Sequence, residues 1–459
     1  PLANQLGKHT DLTKLAQHFE KINIPMVGIG LGGQFKLDSI NPHEIKEGTW
    51  RWFKVLLSKR VNPNYPNVTL RGLGTYQLLK YKGFGDEVII SGCPSNFINP
   101  EIDLGQKIKD RIKNKTIKRI AFAFGAPGFN LATIERKIVS IMERTSGIAI
   151  VQHPKEQFYM ALREYDKLSK DVLERYREYY KPDLSMDEFI KWLETYLHIF
   201  TDAEEWIEKM KELDLVIGPR IHGVMAGIQA GIPGICIVHD SRTLELCQTM
   251  HIPYTLHKDL LNKDFDLDDL INFVKSWDWE EYDKRRVELA KVLREFLEEN
   301  ELKVYSPLED LSKVELSNSK NFYLEKKYKR LSLVINKENN TIPLNVFGHV
   351  DRIDKNGISG WLIDLSNPEP DEFVIKINDK IVYEGKADII RKDIIEITGI
   401  DKPTGFNVKW EQINMSFKEV LELISNMDAE VKVIHKKSGG VLSNGVKKLS
   451  KIIMDTDKK

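Results

Sequence analysis

The sequence predicts two α/β domains followed by a small antiparallel β-sandwich, and three observations lead to this fold class. Over the first 300 residues, short apolar segments alternate with amphipathic ones, a pattern typical of parallel sheets with right-handed helical crossovers. A polar stretch at 103–118 separates two clusters of predicted strands. After the polar segment 306–340 the hydrophobic period changes to two, which indicates antiparallel strands.

The elements follow from the spacing of their apolar residues. Helices are predicted at 12–21, 75–81, 134–145, 221–230 and 281–300, and two long charged helices at 156–179 and 186–211. Strands are predicted at 25–31, 87–91, 119–124, 148–152, 213–217 and 233–238. In the β-rich part, strands are predicted at 346–353, 358–363, 373–377, 380–383 and 406–410, and Asn378-Asp379 predicts a tight hairpin turn.

These elements define the predicted domain organisation. An N-terminal α/β domain spans 1–115, and a second α/β domain with a helical insertion spans 116–303. A linker at 304–343 leads to the β-sandwich at 344–436, and a tail occupies 437–459. A cleft between the two α/β domains is the expected ligand site.

Composition excludes several classes of protein. The chain has 459 residues, and its 68 Lys+Arg balance its 68 Asp+Glu, which argues against a chain-wide nucleic-acid binder. Its three cysteines show no CxxC spacing, so a disulfide scaffold is not predicted and a reducing, cytoplasmic compartment fits. No apolar run approaches the roughly 20 residues of a membrane span. No motif demands a metal or a cofactor, whereas a peripheral membrane association and an oligomer stay open.

The densest site signal lies at 216–234, where an apolar strand ends and a helix of small and apolar residues begins. Arg220, His222 and Gly223 stand at this junction. Free N–H groups and the helix dipole favour an anion there, and arginine adds bidentate binding of phosphate or carboxylate. Histidine moves protons near neutral pH. A structural arginine and a capping histidine are the alternative interpretation.

The next predicted strand ends in a second group of polar residues, His239, Asp240 and Arg242. Because the carboxyl ends of parallel strands meet at one edge of a sheet, this group is expected beside the first. Asp240 is expected to orient a substrate hydroxyl or to pair with Arg242. An equal alternative is a structural role, in which this segment caps the following helix and forms a salt bridge.

The first half of the chain contributes two further candidates. Arg71 precedes a predicted helix and is a second anion-binding candidate, with a surface ion pair as the alternative. Gln34 follows a glycine-containing strand and is expected to face the cleft, although close backbone packing is the simpler explanation of the glycines. Cys93 and Cys236 have apolar neighbours in the sequence and are assigned to the core.

Four segments together resemble the polysaccharide pyruvyl transferase family over residues 1–300. They are GPRIHGVMAGIQAGIPGICIVHDSRTLEL, the upstream LRG, GIGLGGQ in the first half and the closing YDKRRVELAKVL helix. The resemblance implies two Rossmann-like α/β domains in a glycosyltransferase-B-like arrangement. The family's active-site arginine and histidine correspond to Arg220 and His222, and its first-half arginine corresponds to Arg71.

The resemblance also implies an activity. It is the transfer of a pyruvyl group from phosphoenolpyruvate to two sugar hydroxyls, as a cyclic ketal, on cell-surface or capsular polysaccharide or a nucleotide- or lipid-linked precursor. Phosphoenolpyruvate is then a donor substrate rather than a cofactor. We expect Arg220 and Arg71 to bind the donor, and His222 to perform acid–base chemistry with assistance from Asp240 or His239.

The chain departs from the family pattern in two places. The family usually begins with a Gly/Asn-rich strand and loop on the acceptor side, and this chain is expected to start after that strand. The expected Gly-Asp-Pro after the LRG helix is Gly92-Cys93-Pro94 here, which removes a carboxylate. The β-domain resembles sandwich modules appended to bacterial sugar-processing enzymes.

Two other functions remain open at this point. A nucleotide-sugar-dependent glycosyltransferase of the same architecture needs a carboxylate for ribose hydroxyls, for which Asp240 is the candidate. A non-catalytic polysaccharide-binding or assembly protein needs exposed aromatic side chains on the β-domain. Trp361 and Trp410 are the candidates for that role, although their spacing is more typical of core residues.

Overall fold

The chain divides into two units, and one of them contains both ends of the sequence. Unit 1 consists of Pro1–Ile90 and Asn318–Lys459, and unit 2 of Ser91–Ser317. The computed structural model describes residues 6–7, 9–127, 131–261, 263–315, 331–354, 356–415, 429–448 and 451–452.

The N-terminal part of unit 1 is built from short strands and three helices. In chain order these are β1 (Leu6–Gly7), α1 (Thr13–Lys21), β2 (Gly28–Leu31), β3 (Gly33–Gln34), β4 (Ser39–Ile40), α2 (Glu47–Ser58), β5 (Val68–Leu70), α3 (Leu73–Tyr81) and β6 (Ile89–Ile90). Strands β2, β5 and β6 form a parallel sheet, as the sequence predicts for this region. Helix α2 buries Trp52, Phe53 and Leu56, which supply much of the core beside this sheet.

Unit 2 is a mixed α/β unit with many helices. Its elements are α4 (Leu104–Asn114), β7 (Ile120–Ala123), α5 (Ala132–Arg144), β8 (Ile148–Ile150), α6 (Lys155–Ala161), α7 (Lys170–Tyr180), α8 (Met186–Tyr196), β9 (Leu197–His198), α9 (Ala203–Lys211), β10 (Leu215–Gly218), α10 (Ile221–Gln229), β11 (Gly234–Val238), α11 (Ser241–Met250), β12 (Tyr254–Leu256), α12 (His257–Leu261), α13 (Leu267–Ser276), α14 (Trp279–Glu299) and α15 (Ser306–Ser312).

The sheet of unit 2 has six parallel strands in the order β12-β11-β10-β7-β8-β9. From the central strand β7 the chain runs outward through β8 and β9. It then returns to the other side of β7 and continues outward through β10, β11 and β12. The direction of winding therefore changes between β7 and β10, which is where a parallel α/β sheet opens a crevice at its carboxyl edge.

The prediction of two long charged helices is wrong, because each is interrupted. The first ends at Ala161, Arg163 adopts a left-handed conformation with φ 61°, and α7 begins after Ser169. The second ends at Tyr196, after which β9 pairs with β8 as the edge strand of the sheet. Asp202 then caps α9 by accepting hydrogen bonds from the backbone N–H groups of Glu204 and Glu205.

The C-terminal part of unit 1 is a mostly antiparallel β structure, in agreement with the predicted β-rich region. Its elements are β13 (Ile342–Pro343), β14 (Val346–Asp354), β15 (Gly357–Asp364), β16 (Glu372–Ile377), β17 (Lys380–Lys386), α16 (Lys392–Thr398), β18 (Gly405–Val408), β19 (Glu430–His435) and β20 (Val441–Lys448). Hence residues 441–448, assigned to the tail in the sequence analysis, form a strand of this sheet, and α15 and β13 lie within the segment predicted to be a linker.

Seven of these strands form one sheet, in the order β17-β16-β19-β20-β14-β15-β18, where a sandwich of two sheets is predicted. The rings of Phe373 on β16 and Phe406 on β18 lie 4.3 Å apart, although these two strands are far apart in the sheet order. This short distance shows that the sheet curls. The predicted hairpin turn is confirmed: Ile377 pairs with Lys380, and Asn378 and Asp379 have φ angles of 47° and 66°. Trp361 is buried and Trp410 is half-buried against the core of this sheet.

The β structure is attached to the N-terminal part of unit 1 by specific polar contacts. Strand β13 pairs with β4 in antiparallel fashion. The buried Gln77 amide on α3 donates to the Pro343 carbonyl oxygen at 3.3 Å and accepts from the Asn345 N–H at 3.0 Å.

Within the part of the chain that the structure describes, no helix combines the length and apolar character that crossing a lipid bilayer requires.

Candidate active site at the carboxyl edge of the parallel sheet

A cavity of about 600 Å³ opens in unit 2 where β8, β9, β10 and β11 end. We call it the sheet-edge cavity. Its lining includes Gln152, His153, Phe158, Leu162, Ile199, Phe200, Trp206, Arg220, His222 and Arg242. Three of the sequence-predicted site residues therefore line one cavity beside the winding change between β7 and β10.

Arg220 stands between β10 and α10, where it is the N-cap residue of the helix. Its Nη2 donates to the His153 carbonyl oxygen at 3.1 Å, which ties it to the end of β8. Among the residues that the structure describes, no carboxylate lies within ion-pair distance of Arg220. Burial, reinforced by the neighbouring Arg242, lowers the pKa of Arg220, although a guanidinium keeps its charge at neutral pH. The site thus holds a partly desolvated cation that an anion would neutralise.

His222 lies in the first turn of α10 and is half-buried. Its Nε2 is 3.6 Å from Cys93 Sγ, and the Ser95 hydroxyl donates to the same sulfur at 3.1 Å. Cys93 is buried, as predicted, and also contacts the candidate catalytic histidine. Cys93 is the residue that stands in place of the aspartate of the family's Gly-Asp-Pro pattern. Its thiol therefore lies beside the His222 imidazole.

Gly223 allows α10 to approach the sheet closely. A Cβ atom at this position would lie 2.7 Å from the Ala123 Cβ on β7 and 2.6 Å from the Gln152 Nε2. Gly227, one turn later, leaves room for the side chain of Val216 on β10 in the same way. The small residues of this helix therefore fix where Arg220 and His222 stand relative to the strands.

The second predicted group combines both of its proposed structural roles. Asp240 Oδ1 caps α11 by accepting from the Thr243 N–H at 2.8 Å and from the Thr243 hydroxyl at 2.6 Å. Its Oδ2 lies 3.8 Å from Arg242 Nε and 3.9 Å from His239 Nε2. Burial opposes ionisation of Asp240, but Arg242, His239 and the Thr243 hydrogen bonds outweigh it and lower its pKa.

Two histidines near Arg220 are neutral at physiological pH. Burial and the nearby Arg220 charge lower the pKa of His153, and burial lowers that of His239. Arg220 and Arg242 are therefore the permanent cations of the cavity lining, and Asp240 partly compensates the charge of Arg242. This charge distribution suits a small, strongly anionic ligand.

The cavity lining also contains apolar side chains. They come from α6, β9 and α9 and their flanking residues, and they are Phe158, Leu162, Ile199, Phe200 and Trp206. The rings of Phe200 and Trp206 are nearly parallel, with an interplanar angle of 7° and centroids 6.1 Å apart. The lining thus combines guanidinium groups with aliphatic and aromatic side chains.

Arg71 and Gln34, the two remaining predicted site residues, lie in unit 1. Arg71 follows β5, is buried, and donates from Nε to the Gly30 carbonyl oxygen at 3.0 Å. Gln34 lies on β3 and is exposed. The structure thus describes six of the eight predicted residues in unit 2 and these two in unit 1.

One buried residue near the cavity escaped the sequence analysis. Glu135 lies in the first turn of α5, is 1% exposed, and neither of its carboxyl oxygens has a hydrogen-bond partner among the described residues. Its spacing from the buried Ile138 and Val139 places it on the apolar face of the helix. The sequence alone therefore shows that Glu135 lies on the apolar face of this helix, which could have singled it out as a candidate.

A comparison with protein-family models places part of the chain in a known family. The family model of the polysaccharide pyruvyl transferases matches residues 14–241, which include Arg71, Arg220, His222 and Asp240. A search of the curated proteins found no match. The family resemblance of the α/β part is therefore confirmed, and the C-terminal β structure lies outside the matched segment.

Proposed function

We propose that this chain, whose residues 14–241 belong to the polysaccharide pyruvyl transferase family, transfers a pyruvyl group from phosphoenolpyruvate to two hydroxyl groups of a sugar. The sugar belongs to a cell-surface polysaccharide or to its precursor. The observation that carries the proposal is the guanidinium of Arg220, partly buried in the sheet-edge cavity beside His222 and without a carboxylate in ion-pair distance among the described residues.

The donor fits the charges of this cavity. Phosphoenolpyruvate carries a phosphate and a carboxylate on a three-carbon skeleton. Arg220 binds one anionic group, the N-terminal N–H groups of α10 contribute further donors, and Arg242 supplies a second cation from the neighbouring strand end. Arg242 lines the cavity, and its Nε lies 3.8 Å from Asp240 Oδ2, so the Asp240 carboxylate partly compensates this second cation.

The chemistry requires two protons to move. The methylene carbon of the donor accepts one proton and becomes the methyl group, which leaves an oxocarbenium-like centre. The two sugar oxygens form bonds to this carbon, and the carbon–oxygen bond to phosphate breaks. Of the two hydroxyl protons released, one balances the proton on the methyl group and the other leaves on phosphate. His222 is the group that moves these protons, a contribution worth about 10²–10⁴-fold in rate.

The cavity has room for more than the donor. A volume of about 600 Å³ lies in the range of pockets that hold drug-sized ligands, whereas phosphoenolpyruvate has only ten non-hydrogen atoms. Asp240 does not support a nucleotide-sugar donor, because its carboxylate caps α11 and pairs with Arg242. Arg71, Gln34 and His239 remain substrate-binding predictions from the sequence.

The proposal is tested by incubating the protein with phosphoenolpyruvate and a panel of sugars with paired hydroxyl groups, while inorganic phosphate is measured. A parallel series contains nucleotide sugars, and nucleotide release is measured. Sugar-dependent phosphate release supports the proposal. Nucleotide release, or the absence of any turnover of phosphoenolpyruvate over the whole panel, overturns it.

The Arg220→Ala variant is expected to weaken phosphoenolpyruvate binding by about 10–100-fold, because a charge-assisted hydrogen bond contributes about 1.5–3 kcal/mol. Isothermal calorimetry measures this affinity. The matched control is Arg111→Ala, since Arg111 Nη2 donates to the Leu213 carbonyl oxygen at 2.7 Å just before β10 begins. Arg111 therefore contacts the amino end of β10, whereas Arg220 follows the carboxyl end of the same strand. Unchanged affinity is expected for this control. Equal affinities in the wild type and Arg220→Ala contradict the assignment.

A further inference from the structure

A cluster of buried polar groups lies behind the sheet-edge cavity, and none of them belongs to the proposed chemistry. Glu135 on α5 is surrounded by tyrosines from α7, and Gln157 of α6 lies nearby. Buried atoms without a hydrogen bond of normal geometry among the described residues are Glu135 Oε1 and Oε2, Gln157 Oε1 and the hydroxyl oxygens of Tyr176, Tyr179 and Tyr180. The Tyr179 and Tyr180 hydroxyls are nevertheless close enough to Glu135 to act on its carboxyl group. Buried polar atoms without partners are rare in native proteins, so this concentration calls for an explanation.

The backbone brings the carboxyl group close to the sheet edge. A Cβ atom at position 125 would lie 2.0 Å from Glu135 Oε1, so a larger residue there would displace the carboxyl group. Gly125 follows β7, and the carbonyl oxygen of Gly125 accepts a hydrogen bond from the Gln157 side chain. Strand β7 pairs with β10, which leads to Arg220. Glu135 therefore lies at the strand ends where the winding of the sheet changes.

Glu135 and Arg220 influence each other electrostatically. The charge of Arg220 favours ionisation of Glu135, and a charged Glu135 favours the charged form of Arg220. The two groups are nevertheless not within ion-pair distance. Glu135 is thus close enough to act as a counter-charge for Arg220 without forming a fixed salt bridge.

The protonation state of Glu135 decides whether this counter-charge exists. Burial raises the pKa of Glu135 to about 8, against the opposing effects of Tyr179, Tyr180 and Arg220. Burial also raises the pKa of Tyr176 to about 12 and the pKa values of Tyr179 and Tyr180 above the ordinary range, so these hydroxyls stay protonated. At neutral pH the cluster carries no charge, and the cation of Arg220 is left to an external anion.

We propose that Glu135 is a positioning residue that controls anion binding in the sheet-edge cavity through its protonation. As a neutral acid among the tyrosine hydroxyls it leaves Arg220 available to the anionic substrate. As a carboxylate it becomes the counter-charge of Arg220 and competes with that substrate. The inference rests on the proposed function only in taking Arg220 as the anion-binding residue.

The direction of the pH dependence follows from these charges. Below a pKa of about 8 the carboxyl is protonated and the anion affinity is constant, and above it the affinity falls as the carboxylate forms. Arg242, whose charge acts on Arg220, stays charged throughout this window, and His222 also lines the cavity. Several other groups that act on Glu135 or Arg220 have displaced pKa values. Those of His153, His239 and Asp240 are lowered, and those of Tyr176, Tyr179 and Tyr180 are raised.

The test is a calorimetric titration with sulfate, whose charge does not change between pH 7 and pH 9. Only about one tenth of the molecules keep Glu135 neutral at pH 9, so the wild type is expected to bind sulfate about tenfold more weakly at pH 9 than at pH 7. The Glu135→Gln variant keeps the neutral shape, and its affinity is expected to be equal at the two pH values. Arg220→Ala is expected to lose the binding at both.

Glu143→Gln is the matched control, because Glu143 lies on the same helix and contacts Lys181 and Trp192 instead. It is expected to behave as the wild type does. A tenfold fall in Glu135→Gln as well, or pH-independent binding in the wild type, overturns the inference. If Glu135→Gln does not fold, the wild-type profile still decides. Sulfate binding requires no turnover, so failure of pyruvyl transfer and failure of this inference are separate results.

Discussion

Arg220 and His222 stand two positions apart at the start of α10, and the chemistry of their side chains differs. The guanidinium keeps a permanent charge and suits binding, whereas an imidazole exchanges protons near neutral pH. The hydrogen bond to the His153 carbonyl oxygen holds the Arg220 guanidinium, and the Cys93 thiol contacts the His222 imidazole. Substitutions at the two positions should therefore affect different kinetic steps.

The His222→Asn variant separates these roles. Asparagine cannot exchange a proton near neutral pH, so turnover is expected to fall about 10²–10⁴-fold while the affinity for phosphoenolpyruvate stays close to the wild-type value. Phosphate release and calorimetry measure the two quantities. The control is His251→Asn, because His251 has a φ of 53° and asparagine adopts this left-handed conformation readily. Wild-type turnover in His222→Asn contradicts a proton-transfer role.

Residue types in the sequence predicted the cations of the candidate site but not the groups behind them. Arg220, His222 and Arg242 could be predicted because they follow apolar strands directly. Glu135 could be placed on an apolar helix face, yet its neighbours Tyr179 and Tyr180 come from α7, more than 40 positions later. Contacts between distant segments depend on how the helices pack, and the period of one helix does not determine that.

At the scale of elements, the position of α10 on the sheet determines the site. Gly223 and Gly227 face the strands, so the helix axis lies closer to β7 and β10 than side chains at these positions would permit. This close approach puts the helix N-terminus and its free N–H groups at the cavity. This helix could be predicted from the sequence, because the spacing of its glycine and alanine residues is visible within one segment.

The Gly227→Ala variant tests this packing. Alanine improves helix propensity by about 1 kcal/mol, but its Cβ would lie 2.3 Å from Val216 Cγ1, and overpacking costs about 1–3 kcal/mol. We expect a lower free energy of unfolding, measured by urea denaturation. Gly231→Ala is the comparison, because its Cβ has open space and only the φ of 81° opposes it, at a cost of about 1–2 kcal/mol. A stabilised Gly227→Ala would be incompatible with the close approach.

One of the two wrongly predicted helices shows how tertiary pairing overrides a local pattern. The segment 186–211 carries enough helix-forming residues to suggest an unbroken helix, but Leu197 and His198 add an edge strand to the sheet. Strand pairing supplies hydrogen bonds that outweigh local helix propensity.

At the scale of the whole molecule, both ends of the chain contribute to unit 1. The sequence predicted an independent module behind a linker, because the change of hydrophobic period is local and visible. It could not predict that β13 pairs with β4 or that Gln77 is enclosed by the segment at 343–345. Such contacts join residues more than 260 positions apart, and nothing in either segment alone specifies the other.

The Gln77→Ala variant is the test of this integration. It removes the side-chain amide that bonds both the Pro343 carbonyl oxygen and the Asn345 N–H. Each of these two buried backbone groups then lacks a partner, at a cost of about 1–3 kcal/mol in the free energy of unfolding. Hydrogen exchange should therefore accelerate together in the N-terminal strands β2, β5 and β6 and in the C-terminal sheet, since the two parts stabilise one unit. Gln106→Ala is the matched control, because the side-chain amide of Gln106 donates to the exposed Asp110 on the same helix of unit 2. Faster exchange confined to the C-terminal sheet would mean that this sheet unfolds independently and that its attachment contributes no stability to the N-terminal strands.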